Sequence, residues 1–448
     1  MLISIEEVVM KEVKELMGLG KNYEVLKVEE VKEEKQIVKC IYIEKITKKE
    51  RCPICNSYTK SIHDKLKPIK LKYVKAFEYT TYLIIEKRRF ICHKCNKKFT
   101  EETVVNEESK SISTKLEQKI LKDLLEYNLT LKYIAKNNNV SDNTIRNVLL
   151  KAMKNYPEYV RLLPRVISFD EFKADTNKGK YAFILNDPIH KDTLDILPTR
   201  KKDDLIQYFT KTENRSSVEF VISDMYEPYL LVTKIMFPKA KYVVDRFHYI
   251  TYIMDALDDI RIRIQDEYGY NSEEYRLLKN KKNVSLLRKY RKDISWFVYT
   301  KRYKNKHMVE MLPGDILNEI FKINEEIKRG YDLKELFLDI VNHSTYEDSK
   351  RELLSWIDLC RESKIEEFIS ASNTIENWLE YIVNSFIDER FSNGFTEGLN
   401  NKIKVIKRNG FGFKNFDFFR LRLLYILRHK ISGNSKKDSF QKNQKSKK

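Results

Sequence analysis

The sequence has no apolar run long enough to cross a bilayer. Its longest uninterrupted stretches are five residues, Tyr181 to Leu185 and Leu423 to Leu427, where a transmembrane helix needs roughly 18 or more, so neither a membrane span nor a membrane partner is expected. A secretory h-region is missing as well: Glu6, Glu7, Lys11 and Glu12 break up the only apolar pattern near the N-terminus. A cytoplasmic, nucleoid-associated protein is the expectation. Cysteine is scarce, with six in 448 residues, and a chain of this length buries several cores without staples, which excludes a small disulfide scaffold. Acids are short too, 66 against 85 Lys and Arg, leaving a formal charge of +19. An excess of that size favours a polyanionic partner, double-stranded DNA above all.

Four of the six cysteines fall in two CxxC pairs, Cys52/Cys55 and Cys92/Cys95, with 36 residues between them. In a reducing compartment this spacing reads as two knuckles, each offering two thiolates to one structural Zn²⁺. Free thiols or a redox pair would also use CxxC, but a redox site needs only one such pair. His63 and His93 are close in sequence and unnecessary as ligands, and Cys40 and Cys360 are read as inert. Between the pairs, Ile69 to Arg89 has strand character, and Lys67 just before it with Lys70, Lys72, Lys75, Lys87, Arg88 and Arg89 interleaves with its Tyr and Val, either a phosphate-facing surface or a solvated one.

Beyond Lys115 the apolar period becomes helical. Leu131 to Leu149 has the helix-turn-helix pattern: small Ala135 where two helices touch, Asn139 at the turn, Ser141 as N-cap, Ile145 and Val148 facing inward. Asp142, Asn143, Arg146 and Asn147 then face outward as candidate DNA contacts, although an ordinary three-helix packing unit would share the pattern. After Pro164 come three strands, then helix, strand, helix, strand, the order of an RNase H-like α/β core. The expected organisation is an N-terminal segment (1–50), a zinc ribbon (51–105), a helix-turn-helix domain (113–155), the first part of the core (164–249), a large all-helical insertion (250–388), a return to the core with one more helix (389–430) and a disordered basic tail (431–448).

Asp170 and Asp224 each stand at the end of an apolar strand pattern. Carboxylates there are costly unless paired or bound to metal, and in such a core the two strands lie side by side. Glu397 sits in a helical segment whose apolar stripe is Phe395, Leu399, Ile403 and Ile406, and Lys402, Lys404, Lys407 and Arg408 follow, suited to phosphates. The two-knuckle finger, the helix-turn-helix, Ser168-Phe169-Asp170-Glu171-Phe172, Ile222-Ser223-Asp224-Met225-Tyr226, Asp245-Arg246-Phe247-His248 and the run from Ser392 through Glu397 to Gly412 together resemble the ISL-three family of bacterial insertion-sequence DDE transposases. The resemblance spans about residues 40 to 430. It implies DNA strand cleavage and transfer with two divalent ions, Mg²⁺ or Mn²⁺, held by Asp170, Asp224 and Glu397, and it matches Asp245 and His248 to an element beside the active site. It also implies binding to terminal inverted repeats and target DNA, by a homodimer or larger assembly. Two other readings stand beside it: a structure-specific nuclease on the same core, and a transposase-derived DNA-binding regulator whose acids are relics.

Overall fold

Val166, Ile167, Phe169 and Phe172 place apolar side chains on both faces of one strand, and Ile167, Ser168 and Phe169 are consecutively buried, as in a strand covered on both sides; it forms the middle of the central sheet. In the computed structural model, which describes residues 5–33, 36–103, 105, 111–304, 307–391, 394–409 and 415–428, this sheet has five strands: β1 (Val166–Thr176), β2 (Gly179–Asp187), β3 (Asp192–Leu197), β4 (Phe220–Ser223) and β5 (Lys241–Val244). They line up in the order 3-2-1-4-5. β1, β2 and β3 make an antiparallel meander, while β4 and β5 run parallel to β1. Parallel neighbours need crossovers, supplied by α1 (Lys202–Phe209) and α2 (Glu227–Met236), the latter with Pro228 in its first turn. The expected tail at 431–448, Ser392, Asn393, Gly410 and Gly412 lie outside the described residues, as do the side chains of Thr396 and Glu397.

The chain divides into two units, residues 157–404 and residues 1–156 with 405–448. In the first, Phe169, Phe183, Phe209, Tyr229 and Phe237 form an aromatic cluster over one face of the sheet. On the other face Ile222, Val243 and Phe391 pack together, with the rings of Phe220 and Phe391 4.7 Å apart. After β5 comes α3 (Arg246–Asp266), and the helices that follow share one continuous core with the sheet, from Leu163 to Val383. Gly330 sits where two of these helices touch: a Cβ there would meet Ile260 Cδ1 at 2.7 Å. The expected all-helical insertion needs correction. It contains a two-stranded hairpin, Thr300–Lys304 with His307–Met311, formed where Val, Tyr, Thr and Met alternate with Lys and Arg; those charges masked the strand period. The last helix of this unit is α4 (Gly394–Asn409), inside which the division between units falls.

In the other unit, helix Ile5–Met17 precedes a four-stranded sheet in the spatial order Tyr23–Glu33, Gln36–Lys45, Thr80–Ile85, Ile69–Lys72. Gln36–Lys45 pairs parallel with Thr80–Ile85, so residues on both sides of the expected boundary at 50/51 share one sheet and one core of Tyr23, Val25, Ile41, Ile43, Leu71 and Leu83. The knuckles carry small strands of their own, among them Ile62–Lys65, Arg88–Ile91 and Lys98–Thr100. Helices Thr114–Leu125, Leu131–Asn138 and Asp142–Ala152 follow, and a further helix covers 416–428. Among the described residues no helix is long and apolar enough to cross a membrane.

Candidate functional site

The register that pairs Ser168 with Ile222, carried two residues further, brings Asp170 and Asp224 level on neighbouring strands. The Ser223 hydroxyl ties the two together by donating to the carbonyl of Phe169 at 3.1 Å. Asp170 Oδ1 accepts from the Glu171 amide at 2.6 Å, and its Oδ2 accepts from Asn400 Nδ2 of α4 at 3.0 Å. Asp224 Oδ1 accepts from Ser223 Oγ at 3.2 Å, and its carbonyl accepts from Tyr242 Oη at 2.8 Å. Asp224 is not the cap of α2, since the N-cap position belongs to Tyr226 and no side chain caps that helix. Burial pushes the Asp170 carboxyl up to about 7, with the charges of Glu171 and Asp224 adding to the effect, and burial raises Asp224 as well. Two adjacent buried carboxylates with raised proton affinity favour a cation between them. Hard oxygen donors of this kind suit Mg²⁺ or Mn²⁺.

Glu397 lies in α4 one turn before Asn400, and its side chain is outside the described ones. Asn400 itself was missed by sequence reasoning; its only signal was its place three residues after Glu397, the spacing that puts two residues on one helix face. Asp245 is buried and acts as the N-cap of α3, its carboxylate accepting from the Phe247 amide at 3.4 Å, with His248 Nε2 4.0 Å from Asp245 Oδ2. His248 is near enough that its charge lowers the proton affinity of both Asp170 and Asp224.

Strand alternation turns Glu171 away from Asp170, but not into solvent. It is largely buried, accepts from Tyr229 Oη at 2.8 Å and is ion-paired with Arg200. The Arg200 guanidinium lies 4.3 Å from the centroid of Tyr181 and 4.6 Å from that of Tyr226. Burial and the charge of Asp224 raise the Glu171 carboxyl, while Tyr229 and Arg200 oppose them. A second acid and a fixed cation thus stand against the Asp170/Asp224 pair.

The four cysteines converge. Their Sγ atoms lie within 4.8 Å of one another, with Cys52–Cys95 at 3.6 Å and Cys55–Cys92 at 3.5 Å, close to the roughly 3.8 Å edge of a tetrahedron with Zn–S bonds of about 2.3 Å. The knuckles repeat one backbone form. Cys52 N donates to Ser57 O at 2.9 Å and Asn56 N to Cys52 O at 3.0 Å; Cys92 N donates to Lys97 O at 2.9 Å and Asn96 N to Cys92 O at 2.7 Å. Asn56 and Asn96 take φ of 58° and 55°, the left-handed conformation that Asn tolerates, so CxxC-Asn was the fuller sequence signal. His93 is held by Ser61 and stays out of the cluster. Several cations of the ribbon segment are engaged internally: Arg88 with buried Glu101, Arg89 with Asp64 and Lys70 with Glu33.

In the three-helix unit Ala135, Ile145, Val148 and Leu149 are buried, Ser141 accepts from the Thr144 amide at 3.2 Å, and Asn139 holds the turn at φ 51°. Asn143 and Asn147 are exposed. Arg146 is half-buried and stacks over Phe418 with its guanidinium carbon 4.5 Å from the ring centroid, not pointing freely outward as expected. Lys404 and Arg408 are exposed and Lys407 is half-buried.

Two parts of the chain match known families. Residues 167–423 match the profile of the ISL-three type of DDE transposase, described as a transposase, and residues 48–95 match the zinc finger of the transposases of IS204, IS1001, IS1096 and IS1165. The chain is 21% identical over 390 residues to the transposase for insertion sequence element IS1001 of Bordetella parapertussis, covering 86% of this chain and 90% of that protein. It is also 32% identical over 127 residues to a Lactococcus lactis protein described as an ATP-dependent protease, a stretch covering 28% of this chain and 38% of that one.

Proposed function

The chain belongs to the ISL-three family of DDE transposases and is a DNA transposase, and from that membership we propose that Asp170, Asp224 and Glu397 are its catalytic carboxylates, carried on an RNase H-like core. The observation that carries the reading is the Asn400–Asp170 hydrogen bond, which ties the helix bearing Glu397 to the strand bearing the first acid. The sheet order 3-2-1-4-5 with its antiparallel meander and parallel pair supports the core assignment. The family match does not favour the readings as a relic regulator or a structure-specific nuclease.

The divalent ions implied, Mg²⁺ or Mn²⁺, supply when bound the activation of a water or 3′-hydroxyl and stabilisation of the leaving oxygen. The protein's own contribution is to hold the acids. The Glu171 amide and Asn400 orient the Asp170 carboxylate, Ser223 orients Asp224, and buried Asp245 fixes the first turn of α3 so that His248 remains beside them. A structural Zn²⁺ in the four-cysteine cluster holds the ribbon. DNA recognition falls to the helix-turn-helix, with Asn143 and Asn147 reaching base edges of the terminal inverted repeats in the major groove and Arg146 supporting from its place against Phe418. Lys404, Lys407 and Arg408 contact phosphates of element or target DNA. Joining two ends in one event calls for a homodimer or larger assembly on DNA, and the nucleoid is where such a protein acts.

The test is Mg²⁺-dependent nicking of a duplex carrying an element end, run beside a gel shift. Asp170→Asn, Asp224→Asn and Glu397→Gln should each lower cleavage by about 10²-fold or more while DNA binding survives, because lost negative charge reduces repulsion of phosphate. Cleavage near wild type in any one variant removes that residue from the mechanism.

A further inference from the structure

The hairpin joining Ile69–Lys72 to Thr80–Ile85 ends in a tip at Phe77, whose side chain is 94% exposed and whose backbone sits at φ 54°. A bulky residue rarely adopts that conformation, and strain of this kind persists only where the surroundings enforce it. A lone exposed ring is ordinary in itself. What distinguishes Phe77 is where the tip is held. Asn139, the turn residue of the helix-turn-helix, donates from Nδ2 to Thr80 Oγ1 at 2.5 Å and accepts at its carbonyl from Lys72 Nζ at 2.6 Å. Lys75 Nζ donates to the carbonyl of Lys136 at 3.5 Å, in the last turn of the first of these two helices.

The base of the tip is locked as well. Tyr73 N donates to Thr81 O at 2.8 Å and Ala76 N to Thr81 Oγ1 at 3.1 Å, and Tyr73 Oη donates to Met17 O at 2.6 Å. A stiff platform therefore holds an exposed phenyl ring beside the turn that opens helix Asp142–Ala152. In a helix-turn-helix the N-terminal residues of the second helix approach the bases, so an element bonded to the turn before them lies at the DNA-facing end. The surroundings are basic on balance: Lys72, Lys75 and Lys136 border the tip, Lys39, 4.7 Å from the ring centroid of Tyr79, is paired with Glu30, and Glu78 is the one acid in the turn. A protein partner would want a contiguous apolar patch, whereas two rings, Phe77 and the partly exposed Tyr79, framed by lysines suit a duplex.

Resting on the helix-turn-helix reading above, we propose that the Phe77 tip is a second DNA-contacting element, its ring packing on sugar and base edges of the minor groove that flanks the major groove entered by Asp142–Ala152. Apolar side chains placed in this way wedge against base steps and add affinity that does not depend on charge.

The experiment uses full-length, zinc-loaded protein and fluorescence anisotropy on a duplex of the terminal repeat. Phe77→Ala and Phe77→Gly should bind roughly tenfold more weakly; glycine suits the positive φ, so this variant separates loss of the ring from loss of the fold. Phe77→Trp keeps a ring and should bind like wild type. The dependence of affinity on salt should be unchanged in all three, because no cation is removed, whereas Lys75→Ala should flatten it. Wild-type affinity in both Phe77→Ala and Phe77→Gly, with end preference lost in Asn147→Ala, overturns the proposal alone. End preference untouched by Asn147→Ala overturns the helix-turn-helix reading and the proposal with it.

Discussion

Arg200→Ala probes how a second acid is tolerated beside the Asp170/Asp224 pair. The side chains of Glu171 and Arg200 are 17% and 28% exposed, between a surface pair, worth about 0–1 kcal/mol, and a buried pair, whose breakage costs about 3–5 kcal/mol. The substitution also removes the guanidinium from the faces of Tyr181 and Tyr226, contacts worth about 0.5–2 kcal/mol each. Glu171 keeps its hydrogen bond from Tyr229, which softens the loss. A destabilisation of about 2–4 kcal/mol results, or roughly 5–15 °C in Tm for a unit of this size. Glu171→Gln keeps the Tyr229 contact and leaves Arg200 partly in water, so it should cost about 1 kcal/mol. The double variant removes the buried charge together with its partner and should therefore be more stable than Arg200→Ala alone, a coupling of about 1–3 kcal/mol. Urea unfolding followed by tryptophan fluorescence reads this unit selectively, because Trp296, Trp356 and Trp378 all lie within residues 157–404. A double variant as unstable as the two single effects added together would refute the charge-pairing account of Glu171.

The remaining predictions concern metal and pH. Replacing Cys52 and Cys92 by Ser should abolish a stoichiometry of one zinc per chain and open residues 50–103 to limited proteolysis, with the tryptophan transition of the other unit unchanged; zinc content equal to wild type would end the four-thiolate assignment. For Asp170 the folded carboxyl stands at about 7, above its ordinary 3.8, so the folded state holds the proton more tightly than the unfolded one and the associated stability is lost as pH rises between those values. In EDTA, wild type should thus lose stability relative to Asp170→Asn as pH goes from about 4 to about 7, and Mg²⁺ should restore it at the upper end. Parallel stability profiles of the two proteins would contradict this.

Much of the site was legible because its residues sit at pattern breaks. Asp170 and Asp224 interrupt apolar strands, and the cysteines carry their spacing openly. Environment was less legible than direction. Strand alternation separates the side of Glu171 from that of Asp170, yet says nothing of Arg200 and Tyr229 waiting there, contributed by segments 29 and 58 residues away. The strand Tyr23–Glu33 was hidden because Val25, Val28 and Val31 are spaced three apart among Glu and Lys, a helical-looking period; a bulge between Val25 and Lys27 shifts its register. Gln36–Lys45 and Thr80–Ile85 both carry strand patterns, but their parallel pairing leaves no local mark, and it alone hid the sheet they share. Arg146 looked outward on the helix wheel, and only the fold brings Phe418, 272 residues later, against it.

The Asn400–Asp170 hydrogen bond spans 230 residues, and this sets an order in time. All five strands of the central sheet have been synthesised by Val244, but α4 follows only after the intervening helices. Asn400 comes 176 residues after Asp224, and at bacterial translation speeds of about 5–20 residues per second those residues take roughly ten to thirty-five seconds. Throughout that interval the nascent chain carries Asp170 and Asp224 without the helix that closes over them, while it remains tethered through ribosome and transcript to the gene that encodes it. Assembly order works as a delay fuse: the Asp170/Asp224 pair gains its Asn400 contact only once α4 has been made, well after the last strand of the sheet.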